Sequence, residues 1–137
     1  SNERVRANSI EALGNLITNL DKDDPVFLAA KIDIRKALSD RSGRCRANAI
    51  IALKDERDVN IINPLQEMIA SDSVNIKKSA LYALADLSRN EFLPLIEKLY
   101  LDNNAEVKKN AAHVLRVMAD EGSSSAAQLL DKLQKAH

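Results

Sequence analysis

The sequence predicts an all-α chain, a right-handed α-α superhelix built as a solenoid of antiparallel helix pairs. Three observations predict it. The stretch RVRANSIEALGNL has a near copy, RCRANAIIALKDE, forty residues later, and IKKSALYALADL and VKKNAAHVLRVM align with both without gaps. A self-similar unit of this size is the mark of a repeat array. Within each copy the apolar residues recur with the helical period of 3.6, and no segment alternates with the period of two that a strand requires. Aromatic residues make up only 3% of the chain, with no Trp, so the core is assembled from Leu, Ile, Val and Ala.

The four matched segments, termed B helices, start at Val5, Cys45, Ile76 and Val107, with spacings of 40, 31 and 31 residues. Counting from each start, an apolar residue stands at offset 0 and a small one at offset 4 (Ser9, Ala49, Ala80, Ala111). Offset 7 holds Ala12, Ala52, Ala83 and Val114, offset 8 is Leu in every copy, and offset 11 holds Leu16, Glu56, Leu87 and Met118. Offsets 0, 4, 7, 8 and 11 share one helical face. The B helices are expected near 4–19, 43–56, 74–88 and 105–120.

Between them lie A helices, expected near 24–39, 61–70, 91–101 and 123–135. The first places Phe27, Ile34 and Leu38 near one face, with Asp24 as N-cap and Pro25 at the first helical position. The second holds Ile62, Leu65, Met68 and Ile69, the third Phe92, Leu95, Ile96 and Leu99, and the fourth Ala126, Leu129, Leu130 and Leu133. Pro64 and Pro94 fall in first turns, where a missing N–H is harmless. The polar breaks DRSG, KDERD, SDS, DNN and DEG join the helices. A single array over 1–137 is expected, about four helix pairs, a piece of a longer protein whose first B helix has no A helix before it. One pair cannot bury its stripe alone, whereas stacked pairs share a continuous core.

Composition narrows the function classes. Lys+Arg and Asp+Glu are 20 each, so no net charge draws the chain toward nucleic acid or membrane. No apolar run approaches the roughly 20 residues of a bilayer span, and the opening SNERVRAN has no signal-peptide pattern. A cytoplasmic location is the expectation. Cys45 is the only cysteine, and because Val5, Ile76 and Val107 fill its column, it reads as a small core residue rather than a nucleophile. His113 has no partner in a metal-binding or catalytic spacing, and His137 is the last residue. No metal motif or phosphate-cradling glycine loop is present, so no catalytic, cofactor or metal site is expected.

The pattern V-R-x-x-A-x-x-A-L on the B helices, each after an Asp-containing turn, resembles the HEAT repeat. The period of 31 is similar to bacterial HEAT-like repeats, including those of phycobilisome lyases. The resemblance covers almost the whole chain. The second unit departs from it by nine extra residues and a longer A helix. The resemblance implies that the cations at offset 1 (Arg6, Arg46, Lys77, Lys108) pair with Asp40, Asp72 and Asn103 of the turns as a ladder between repeats. The alternative is a basic stripe for an anionic partner. The amide column Asn8, Asn48, Ser79, Asn110 reads as hydrogen bonding across the seam between repeats, with ligand binding as the alternative.

The resemblance also implies that B helices line a concave face. Offset 6 (Glu11, Ile51, Tyr82, His113), offset 2 (Ala7, Ala47, Lys78, Lys109) and offset 9 (Gly14, Lys54, Ala85, Arg116) then floor a groove, with Arg89 beside them. Ile51 and Tyr82 are its apolar centre, ringed by Lys54, Lys78, Arg89, Lys109 and Arg116. Such a mixture suits partner binding, although scattered exposed apolar residues are ordinary. The expectation is a non-catalytic scaffold binding a protein or peptide, with some acidic character, on that face. The alternatives are an accessory subunit or regulatory domain of an enzyme, phycobilisome-lyase-like among others, or nucleic-acid binding. Zero net charge and scarce aromatics argue against the last.

Overall fold

The computed structural model describes residues 2–136, so His137 lies outside them. Eight α-helices form: α1 (Glu3–Ile17), α2 (Pro25–Ala37), α3 (Gly43–Ala52), α4 (Ile62–Ile69), α5 (Val74–Leu87), α6 (Leu93–Tyr100), α7 (Ala105–Asp120) and α8 (Ser124–Ala136). No strand occurs among the described residues. The chain divides into two compact units, Ser1–Met68 and Ile69–His137. The fold class is the expected one, all-α, built of packed helices within each unit.

Local chemistry sets the helix ends. Asn2, Asp24, Ser42, Ser73 and Asn104 cap α1, α2, α3, α5 and α7, each side-chain oxygen accepting a backbone N–H of the first turn. Asp24 accepts from Val26 N at 2.8 Å, with Pro25 opening the helix as expected. Two boundaries differ from expectation. The third helix stops at Ala52 rather than near residue 56. The chain beyond it, Asp55–Asp58, is instead held by ion pairs: Lys31 Nζ meets Glu56 Oε1 at 2.9 Å and Asp58 Oδ1 at 2.8 Å, and Lys22 meets Glu56 at 3.4 Å. The helix expected from residue 91 opens as a 3-10 turn, Asn90–Phe92, before α6. Just past α7, Gly122 takes φ +111° and turns the chain, with Ser123 N donating to Met118 O.

In unit 1, α1 packs on α2 and α3, and α2 packs on α3. The core holds Ala7, Ile10, Ile17, Phe27, Ala30, Ile34, Cys45, Ala47, Ala49, Ile50 and Leu53, with Leu65 and Met68 of α4. Ile62 is exposed, contrary to its expected place in the stripe of α4. In unit 2, α7 packs on α5, α6 and α8. Ala80, Leu84, Ile96, Leu99, Val107, Ala111, Leu115, Met118 and Ala126 are fully or almost fully buried.

The first copy departs from the expected stripe. Val5 is 59% exposed and Leu16 45%, Ser9 and Ala12 are exposed, and Leu13 is half-buried. The buried residues of α1 are instead Ala7, Ile10, Gly14 and Ile17, at offsets 2, 5, 9 and 12. The difference between α1 and α7 shows what each column meets. Helix α1 contacts only elements that follow it in the chain, and buries offsets 2 and 9. Helix α7 contacts α5 and α6 before it, and buries offsets 0, 4, 7 and 11. In α1, offsets 2 and 9 therefore face α3, whereas in α7 the 0-4-7-11 stripe is buried in a helix that packs on α5, α6 and α8. Offset 5 (Ile10, Ile50, Leu81, Ala112) is buried in all four copies, an apolar column that the stripe of offsets 0, 4, 7, 8 and 11 leaves out.

Candidate binding face on the B helices

Within unit 1, α1 and α3 lie side by side and run the same way. Ser42 Oγ donates to Glu3 Oε1 at 2.7 Å, and Asn48 Nδ2 donates to Ala7 O at 2.9 Å. A Cβ built on Gly14 falls 2.9 Å from Ala52 Cβ. These three pairs step along both helices in the same order. Glycine at offset 9 and alanine at offset 2 let the two backbones approach.

That seam corrects the expectation for two columns. Ala7 and Gly14 are buried against α3, Ala47 is fully buried in α3, and none of the three floors a groove. In unit 2, Lys78 occupies the same column and reaches along it to α7, its Nζ 2.6 Å from Glu106 Oε1. Its ammonium is thereby engaged within the chain. Lys109 and Arg116, in the same columns of α7, are exposed. Lys54 is half-buried just past α3, and Arg89, past α5, lies 3.8 Å from Glu91.

Offset 6 is the column that faces outward. Glu11, Tyr82 and His113 are exposed in it, Tyr82 by 59%, and Ile51 is half-buried. Tyr82 of α5 and His113 of α7 belong to neighbouring helices of unit 2. Offset −1 (Arg4, Arg44, Asn75, Glu106) is also exposed in every copy, a column that the sequence reading passed over. Its signal was the first arginine of the doubled R-x-R.

One ion-pair rung of the expected ladder forms inside each unit, while Lys108 lies over the Tyr100 ring. Arg6 Nη2 lies 3.1 Å from Asp40 Oδ1 and its Nε 3.1 Å from Oδ2, a two-pronged pair. Arg46 Nε donates to the carbonyl of Asp40. Lys77 Nζ meets Asp102 Oδ1 at 2.5 Å, so Asp102, not Asn103, is the acid of that turn. The hydrogen bonds from Arg6 hold the Asp40 carboxyl below its usual range, and Lys77 does the same to Asp102. Asn48 is the buried amide of its column, and Cys45 is fully buried with Sγ 3.8 Å from Glu3 O.

No helix among the described residues is long and apolar enough to cross a membrane. No curated protein matches the chain. A family model described as HEAT repeats matches residues 32–116, more than half of the sequence. With stacked B helices, cation–aspartate rungs and that match together, the chain belongs to the HEAT-repeat family.

Proposed function

We propose that this chain is a non-catalytic interaction scaffold that binds a protein or peptide along the outward column of its B helices. HEAT repeats commonly serve as protein-interaction scaffolds, and the family is generally non-catalytic. The observation that carries the proposal is Tyr82, a large aromatic side chain 59% exposed at the middle of α5, with exposed His113 on the adjoining helix. An exposed tyrosine on a rigid helix gives contact area at small entropic cost, because few rotamers are lost on binding. Exposed Lys109 and Arg116, on the same helix as His113, favour a partner with acidic character.

The test compares wild-type chain with Tyr82→Ala/His113→Ala as bait for binding proteins. Truncating an anchoring tyrosine costs about 1–3 kcal/mol, so the captured partner should weaken roughly ten- to hundredfold. Circular dichroism should be unchanged. A partner held equally by both forms would place the interface elsewhere.

A further inference from the structure

The two arginines of each R-x-R copy have different fates. Arg6 and Arg46 are used inside the fold, both on Asp40. Arg4 and Arg44 are exposed, and neither side chain makes a hydrogen bond or ion pair among the described residues. They occupy equivalent positions in the first turns of α1 and α3. Those helices run in parallel with axes about 8–10 Å apart, as packed helices do. Arg41, also exposed, lies in the turn that enters α3 at the same edge. It makes no ion pair among the described residues, and its charge helps hold the Asp40 carboxyl low.

Five arginines therefore meet two carboxylates at this edge, and both carboxylates are occupied. Asp40 takes Arg6 and the N–H of Ser42, and Glu3 takes the Ser42 hydroxyl. The positions of Arg4 and Arg44 are also unfavourable for the helices that carry them. A cation in the first turn opposes the helix dipole, and the matching positions of unit 2 are Asn75 and Glu106. Unit 1 thus keeps a locally destabilising choice twice, with no contact inside the fold to offset it, the pattern expected at a functional surface.

We propose that Arg4, Arg41 and Arg44 form a docking edge for closely spaced carboxylates on an acidic protein segment. The guanidinium fork matches a carboxylate in two-pronged geometry, as Arg6 and Asp40 already show within the chain. The neighbouring outward column favours a peptide over a nucleic acid. Half-buried Ile51 stands there and can accommodate an apolar side chain of a peptide, which a sugar-phosphate chain does not offer. The outward B-helix columns of unit 1 carry no aromatic side chain on which a base could stack. The inference rests on the reading of the chain as a protein scaffold, but concerns a different set of residues from Tyr82 and His113.

The experiment is a fluorescence-anisotropy titration of a labelled octaglutamate peptide at low ionic strength. Wild-type chain should bind it, and Arg4→Glu/Arg44→Glu should weaken binding at least tenfold. The control Lys98→Glu/Lys132→Glu makes the same change in net charge at exposed lysines of α6 and α8, and should stay within twofold of wild type. No binding by wild type, or equal loss in the control, overturns the proposal. So does tighter binding of a labelled single-stranded oligonucleotide of the same length. Because the reversals favour the helix dipole, the melting temperature of Arg4→Glu/Arg44→Glu should hold or rise. A fall of several degrees would make the arginines structural and overturn the proposal. Tyr82→Ala should leave peptide affinity unchanged, so a failure here and a failure of the Tyr82 column give different results.

Discussion

Gly14 inverts an ordinary rule. A glycine inside a helix is less favourable than alanine by roughly 1 kcal/mol, so Gly→Ala usually stabilises. Here the added Cβ would sit 2.9 Å from Ala52 Cβ, on a side chain with no flexible end to move aside. Overpacking of this kind costs about 1–3 kcal/mol. Gly14→Ala should therefore lower the melting temperature, and adding Ala52→Gly should recover part of the loss. Asn48 poses a different problem. Its amide is 9% exposed and donates to the carbonyl of Ala7 in the neighbouring helix. Asn48→Ala removes the hydrogen bond that ties the two helices together, at a cost of about 0.5–1.5 kcal/mol. Thermal unfolding should show the loss, while binding at the outward column is unchanged. Equal melting with lost binding would make Asn48 a ligand residue.

The connection after α3 is held by side chains reaching it from the preceding helix. Lys31 of α2 holds Glu56 and Asp58 at once, and Lys22 adds to Glu56. Burial on its own would raise the Glu56 carboxyl, yet the bonds and charge of Lys31 and Lys22 outweigh it and leave it lowered. Asp58 is lowered chiefly by its hydrogen bond to Lys31. Both carboxyls titrate lower folded than unfolded, so their contribution is present above about pH 4–5 and fades as pH falls through their depressed folded values. Lys31 is raised, by Asp58 first and then Glu56, so its share is lost only at strongly alkaline pH. Urea midpoints measured from pH 7 down to pH 3 should fall, and Lys31→Met should flatten that fall. An unchanged slope in Lys31→Met would show that the loop is held by something else. Amide exchange across residues 53–61 should quicken in the same variant. None of this was readable beforehand, because KDERD looks the same as any polar break until the fold brings Lys31 to it.

At the scale of the whole chain, the alignment of four copies revealed which residues form helices and most of which are buried. It could not distinguish a seam from a surface. Alanine at offset 2 and glycine at offset 9 carry no strong hydropathy, so Ala7, Ala47 and Gly14 passed for solvent-facing positions. Only the adjoining helix makes them buried. The same ambiguity runs the other way for Val5 and Leu16, apolar residues of a repeat stripe that α1 leaves exposed. The exposed large apolar residues fall mainly in unit 1, at Val5, Leu16, Val26, Leu28, Ile32 and Ile62, against Tyr82 and Leu101 in unit 2. Stability in a repeat array follows local packing. Native-state hydrogen exchange should therefore find α5, α6 and α7 more protected than α1 and α2. Uniform protection would show that the chain opens as one cooperative block.

Tyr82 also has an optical consequence. The chain contains no Trp and only two tyrosines, and the other, Tyr100, is buried with the Lys108 ammonium 5.0 Å from its ring. Ultraviolet emission thus comes from one shielded phenol and one largely exposed phenol. A molecule settling over the exposed one changes its quenching by iodide, and leaves the other as an internal reference. The protein carries its own dye at the place where its partner is expected to land.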